Sequence, residues 1–73
     1  MEKDILNIIN EVTKIDVDEL KDRMEEEKIW NSLVHIELII SLENEYNITF
    51  DVDELLELTT ISKIINIIGR KIA

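Results

Sequence analysis

The sequence contains no cysteine and no proline, and its single glycine is Gly69. Without cysteine there are no disulfides and no Cys/His cluster for a structural metal, so the 45% of residues that are hydrophobic must form the core unaided. With no proline and one glycine, turn signals between strands are missing, and no strand-like alternation of apolar and polar residues persists. The chain is therefore predicted to be all-helical.

The sequence also lacks long apolar segments. No apolar run approaches the ~20 residues that span a bilayer, and acids stand near the N-terminus, where a signal peptide has a basic start. We therefore expect a soluble, unsecreted protein without membrane insertion. The absence of cysteine agrees with a cytoplasmic location but would suit other compartments as well. The length of 73 residues fits one domain and not two, so residues 1–73 are predicted to form a single domain.

Basic residues are few. Eight Lys and Arg stand against seventeen Asp and Glu, which gives a formal net charge of -9. This charge repels nucleic acid and anionic lipid surfaces and attracts basic protein surfaces, so nucleic acid is not an expected partner. A second interpretation, that the acids only keep a small Ile-rich domain soluble, remains open on composition alone.

Apolar spacing and capping residues together predict four helices, at about residues 3–14, 32–46, 52–57 and 60–72. The first and last helices each carry one apolar stripe at intervals of three and four residues. These stripes are Ile5, Ile8, Ile9 and Val12, and Ile61, Ile64, Ile65, Ile68 and Ile72. The order of long and short helices predicts a small up-and-down four-helix bundle with a long loop between helices 1 and 2 and a short third helix.

Capping residues mark the predicted helix starts. The pentapeptide Asp-Val-Asp-Glu-Leu occurs at residues 16–20 and 51–55, and each copy has an acid three residues before a glutamate. The first copy predicts a short helical turn inside the long loop, and the second opens the short third helix. Either Asn31 or Ser32 can cap the second long helix, and either Thr59 or Thr60 the last one.

The second long helix has more apolar surface than one core face requires. A core face is predicted at Leu38, Ile39, Leu42 and Tyr46. A second apolar stripe, with an acidic rim, consists of Leu33, Ile36 and Ile40 with Glu37, Glu43 and Glu45. Two interpretations remain open: the loop from Ile15 to Asn31 covers the stripe with Ile29 and Trp30, or the stripe is a docking site for a partner protein.

The segment WNSLVHIELIISLENEY, residues 30–46, resembles the phosphopantetheine attachment segment of acyl and peptidyl carrier proteins. That family has the pattern Asp-Ser-Leu followed by a hydrophobic helix that ends in acids and an aromatic residue. ITF at 48–50 and ELLELTTI at 54–61 also look like the family's third helix and its lead into the fourth. Trp30 and the Glu-Leu-Thr-Thr stretch look most like free-standing carriers of secondary metabolism or polysaccharide modification.

The resemblance implies a function and a set of partners. Ser32 would hold a 4'-phosphopantetheine arm, taken from coenzyme A through a phosphodiester, and the thiol of the arm would carry an acyl or aminoacyl group. A phosphopantetheinyl transferase, a loading ligase and downstream synthases or transferases are the implied partners. The protein would not itself be an enzyme, and we expect a monomer. The alternative is a carrier-like helical module that stays unmodified and acts only through protein contacts.

Asn31 departs from the family pattern, which usually has aspartate immediately before the serine. In the family that aspartate helps the transferase that installs the arm. Asparagine keeps the size and the capping ability of aspartate but has no negative charge. Modification is therefore expected to be slower, or to need a dedicated transferase.

Two rival sites have weak signals. His35 follows Ser32 by three residues, but no oxyanion loop or third orienting group accompanies the pair, and packing near the arm explains the histidine better. The stretch from Asp16 to Glu27 has acids at three positions of a calcium loop, but leucine and lysine stand where that motif needs a ligand and a glycine. Neither a hydrolase nor a specific metal site is predicted.

Overall fold

The computed structural model describes residues 1–72 and contains five helices in that range. In chain order they are α1 Glu2–Thr13, α2 Val17–Asp22, α3 Ser32–Tyr46, α4 Val52–Glu57 and α5 Ile61–Ile72. The described residues include no strand, so the predicted all-helical fold is confirmed. The short α2 is the helical turn expected inside the long loop. Of the predicted domain at 1–73, residue 73 lies outside the described residues.

The core lies between the long helices and contains only apolar side chains together with the buried Thr60. α1 packs against α3 and α2, and α4 packs against α5. The fully buried side chains come from the three long helices, from α2 and from the segment between α4 and α5; they include Ile5, Ile9, Leu20, Leu38, Leu42, Leu58, Ile61, Ile64 and Ile68. Burial of these apolar side chains is the main favourable term for a domain without disulfides.

Left-handed backbone ends two of the helices. Lys14, with φ of 65°, follows α1 and donates its N–H to the carbonyl of Asn10 at 2.8 Å. Asn47, with φ of 53°, follows α3 and donates to the carbonyl of Glu43. Such residues supply partners to carbonyls that the helix itself leaves unpaired. α1 thus turns toward α2, and α3 toward the segment before α4.

Residues 23–31, the part of the long loop that follows α2, are held against the start of α5 by hydrogen bonds. The N–H of Ser62 donates to the carbonyl of Met24 at 3.0 Å, and the Ser62 hydroxyl donates to the Glu25 carboxylate. Thr60 caps α5, because its hydroxyl accepts from the N–H of Lys63 at 3.1 Å. These contacts bring residues 24–31, the start of α3 and residues 58–60 to one end of the bundle.

Candidate functional site

Ser32 is the first residue of α3, and its side chain is exposed. The preceding residue, Asn31, supplies the cap: its extended backbone has φ of −77° and ψ of 171°, and its side-chain oxygen accepts from the N–H of Val34 at 2.8 Å. The Asn31 carbonyl accepts from the N–H of His35 at 3.0 Å. Of the two caps that the sequence allowed, the structure therefore uses Asn31. Among residues 1–72 the Ser32 hydroxyl has no hydrogen-bond partner and stays available.

A cavity of about 330 Å³ lies beside Ser32. Three segments form its wall: the end of the long loop, the first turns of α3, and residues 58–60, which connect α4 to α5. They contribute Glu26, Glu27, Lys28, Ile29, Trp30 and Asn31; Ser32, His35 and Ile36; and Leu58, Thr59 and Thr60. A group attached to Ser32 thus begins at the edge of a recess that has both apolar and hydroxyl-bearing walls.

The side chains of Trp30 and His35, which both line the cavity, form a hydrogen bond with each other. The indole Nε1–H donates to His35 Nδ1 at 2.9 Å, and the two ring planes are inclined by only 19° with their centroids 6.2 Å apart, so the rings lie nearly coplanar and meet edge to edge. Burial lowers the pKa of His35, because the charged imidazolium loses hydration there. The half-buried His35 near Ser32 matches the packing role expected from the sequence. Its hydrogen bond to Trp30 was not predicted, since a spacing of five residues across a loop gives no periodic signal.

The second apolar stripe of α3 is exposed. Leu33, Ile36 and Ile40 are 67%, 56% and 53% exposed, whereas Leu38 and Leu42 on the core face are 0% exposed. Ile39 and Tyr46 of the predicted core face are partly buried against the core. Ile29 and Trp30 also pack against the core. The long loop therefore does not cover the stripe as a lid.

The three predicted rim acids occupy different surroundings. Glu37 is exposed, at about 60° around the helix axis from Ile40. Glu43 is half-buried, and its carboxylate accepts from the N–H of Phe50 at 2.9 Å, so it also fixes the segment before α4. Glu45 is exposed but lies roughly 140° around the axis from Ile40. Burial, with smaller contributions from the charges of Asp4 and Glu45, raises the pKa of Tyr46. Only Glu37 is both exposed and adjacent to the stripe.

The rival metal site finds no counterpart in the part of the chain that the structure describes. No cluster of His, Asp or Glu there could hold a metal ion. The calcium-like stretch is partly helical, because α2 takes up Val17–Asp22, and Glu19 and Glu26 instead pair with Arg23. No helix within residues 1–72 is both long enough and apolar enough to cross a membrane.

The residues around Ser32 fit an attached phosphate. The N–H groups of Ser32 and Leu33 have no hydrogen-bond partner among the described residues, as expected for the first turn of a helix. They stand beside an exposed hydroxyl at the positive end of the α3 dipole, where an anion is favoured.

The family of this chain is identified by its match to a protein-family model. A family model described as "Phosphopantetheine attachment site" matches residues 3–68. The chain belongs to this family. The match confirms the resemblance found in the sequence to acyl and peptidyl carrier proteins. No curated protein matches the chain.

Membership in this carrier family establishes the cofactor class. The family carries a covalently attached 4'-phosphopantetheine, and its domains are non-catalytic carriers. They interact in general with phosphopantetheinyl transferases and with synthase enzymes. The carrier role therefore applies to this protein at the level of the family.

Proposed function

We propose that Ser32 is the attachment residue and that the protein shuttles acyl or aminoacyl thioesters between enzymes. One observation carries the assignment: Ser32 has a free, exposed hydroxyl on the first residue of α3, because Asn31 supplies the cap. A serine that served as the cap would need its oxygen for a backbone N–H. Here the oxygen is free to form the phosphodiester.

The residues of the protein have three tasks in this function. The amides of Ser32 and Leu33 favour the phosphate, a contribution of about 0.3 to 1 kcal/mol at an exposed helix end. Asn31 keeps the helix start in place, and the exposed face of α3 meets the partner enzymes. The arm, once bound, supplies the thiol that this cysteine-free chain lacks.

The partners we propose follow from this transfer. A transferase installs the arm from coenzyme A, a ligase loads the acyl or aminoacyl group, and a synthase or transferase takes it onward. The resemblance of Trp30 and the Glu-Leu-Thr-Thr stretch to free-standing carriers supports a place in secondary metabolism or polysaccharide modification. The location we propose is cytoplasmic, where coenzyme A and transferases are present.

We also propose that Leu33, Ile36 and Ile40 form the centre of a docking surface on α3. Their exposure, and the exposed Glu37 beside them on the helix, support this role. An apolar centre holds a complex by excluding water, whereas charges at the rim mainly speed encounter with a basic enzyme surface. Within that rim Glu37 has the most favourable placement. Glu43 and Glu45 contribute through the general negative charge of the domain.

The attachment is tested by intact mass after incubation with coenzyme A and a broad-specificity transferase. We expect wild type to gain one arm and Ser32→Ala to gain none. Ser41→Ala is the control, because Ser41 lies within α3, away from its start. A modified Ser32→Ala protein, or a wild type that several transferases leave unmodified, would contradict the proposal and favour the unmodified interaction module.

The same assay measures the effect of Asn31. Asn31→Asp keeps the cap and restores the negative charge typical of the family, so we expect faster modification. An unchanged or lower rate would show that Asn31 belongs to an interface adapted to a different transferase.

A further inference from the structure

The hydrogen bond between Trp30 and His35 fixes the protonation of the imidazole. An indole N–H can only donate, so Nδ1 of His35 must accept and the neutral ring carries its proton on Nε2. This hydrogen bond between nearly coplanar rings, together with the half-buried position of both side chains, restricts rotation of the imidazole. Among the hydrogen bonds of residues 1–72, none uses the Nε2–H of His35. A donor of defined orientation is therefore left free.

This donor shares the cavity with Ser32. The two residues are three apart on α3, a spacing that brings their Cβ atoms to about 5–6 Å. The other charged groups facing the cavity come from the loop: Glu26, which pairs with Arg23, and the exposed Glu27 and Lys28. From α5, Lys63 reaches Thr59 at the cavity wall. Glu37, on α3 itself, lies about 160° around the axis from His35.

We propose that Trp30 and His35 form a positioning pair for the phosphodiester on Ser32, in which Trp30 orients the imidazole and the Nε2–H of His35 donates to a phosphate oxygen. The inference rests on the proposed attachment at Ser32. The phosphate then bridges the free amides at the start of α3 and the imidazole one turn later. This directs the first part of the arm over the cavity and not away from the helix, so the pair sets the orientation in which the arm leaves the domain.

The experiment uses wild-type protein loaded with the arm, with loading verified by intact mass. The phosphorus NMR resonance and the ring-proton resonances of His35 are followed across the pH range in which histidine titrates. We expect the phosphorus resonance to shift with the midpoint of His35, because a phosphodiester has no ionisation of its own there. We also expect a higher pKa for His35 in the loaded than in the unloaded protein, because the phosphate anion favours the imidazolium form.

Two variants separate a positioning role from a structural one. His35→Gln retains an amide donor but cannot titrate, so the pH-dependent shift of the phosphorus resonance should disappear while the protein still accepts the arm. Trp30→Phe retains an aromatic wall but loses the N–H, so the pKa of His35 in the unloaded protein should rise and the phosphorus shift should become smaller. Thermal melting of both variants verifies that the fold is intact.

Two results would overturn the inference: equal pKa values for His35 in loaded and unloaded protein, or a phosphorus resonance that does not respond to its titration. Glu27→Gln tests the competing partner. If Nε2–H donates to Glu27 instead, this change lowers the pKa of His35 equally in both forms and leaves the phosphorus resonance unaffected. An unchanged intact mass in wild type would contradict the attachment at Ser32 itself, and the inference would fall with it.

Discussion

At the scale of single residues, protonation of His35 makes the stability of the fold depend on pH. Its side chain is half-buried, accepts from Trp30 and has a lowered pKa. In the unfolded chain the same group titrates at about 6.5. As pH falls below that value, the unfolded state takes up a proton before the folded state does. The unfolded state then binds more protons, so the free energy of unfolding must decrease.

We therefore predict that wild type loses stability relative to His35→Gln as pH falls from about 6.5 to the pKa of the folded state. Chemical denaturation of both proteins over a series of pH values measures the difference. The titration of Glu54 does not interfere with this comparison of wild type and His35→Gln. A hydrogen bond from Lys71 lowers its pKa, so its contribution is lost only as pH falls below the usual carboxylate value of about 4.3. Parallel stability curves for the two proteins above that value would contradict the prediction.

At the scale of helices, the repeated pentapeptide shows how neighbours decide a cap. Asp51 forms a full capping box: its side chain accepts from the N–H of Glu54 at 2.8 Å, and the Glu54 carboxylate accepts from the N–H of Asp51 at 2.9 Å. Asp16 makes no side-chain cap, and the Glu19 carboxylate, which would supply the second hydrogen bond of a capping box, pairs with Arg23 at 2.9 Å. The same five residues begin a helix in both places but stabilise it differently.

We predict that Asp51→Ala costs about 0.5 to 2 kcal/mol of stability, the usual range for loss of an N-cap. The matched change Asp16→Ala should cost clearly less, because no hydrogen bond to its side chain is lost. Urea denaturation of the two variants provides the measurement. Equal costs would mean that the acids act mainly through the helix dipoles and not through the hydrogen bonds of the capping box.

The helices of this chain could be predicted from its sequence, whereas several contacts between segments could not. Periodicity located every long helix, and capping residues located both short ones, because these signals are local to the chain. The choice of Asn31 over Ser32 as cap, the contact between Trp30 and His35, and the hydrogen bond of Glu43 to Phe50 could not be predicted. Each depends on how a loop returns to a helix, and residue spacing does not encode that path.

The two faces of α3 lead to a paired prediction. Leu42→Ala should cost about 2 to 5 kcal/mol, because it removes a fully buried side chain. Ile40→Ala removes a largely exposed one, so we expect its stability to change by about 0.5 kcal/mol or less. It should instead accelerate dissociation from a transferase or a cognate enzyme. Melting and binding kinetics of both variants measure the contrast, and similar destabilisation by the two would place the stripe in the core.

The acidic rim is tested on the same face. Glu37→Lys should slow association with the enzyme and reduce its dependence on salt, while the fold keeps its stability, because Glu37 is exposed. Glu43→Lys is a poor probe of docking, since it also removes the acceptor for the Phe50 N–H. A stability loss in Glu43→Lys alone would confirm that difference between the two acids.

At the scale of the whole molecule, the domain carries a large excess of negative charge. Seventeen acids and eight bases occupy a structure whose principal extents are 27 × 23 × 20 Å. The ion pairs within residues 1–72 engage only Arg23, Arg70 and Lys71 among the bases. All of them are at least partly exposed, so each contributes about 1 kcal/mol or less. Most of the seventeen acids make no ion pair within residues 1–72, so we expect repulsion between them to lower the stability of the fold.

We predict that moderate sodium chloride raises the melting temperature, because ions screen charges over about 10 Å at 0.1 M and a net charge of -9 is confined to this small domain. A matched variant separates screening from other effects of salt. Glu11→Gln combined with Glu27→Gln removes two exposed acids that make no ion pair within residues 1–72. It should melt higher than wild type at low salt and respond less to added salt. Equal responses of the two proteins would mean that salt acts on apolar burial and not on repulsion between acids.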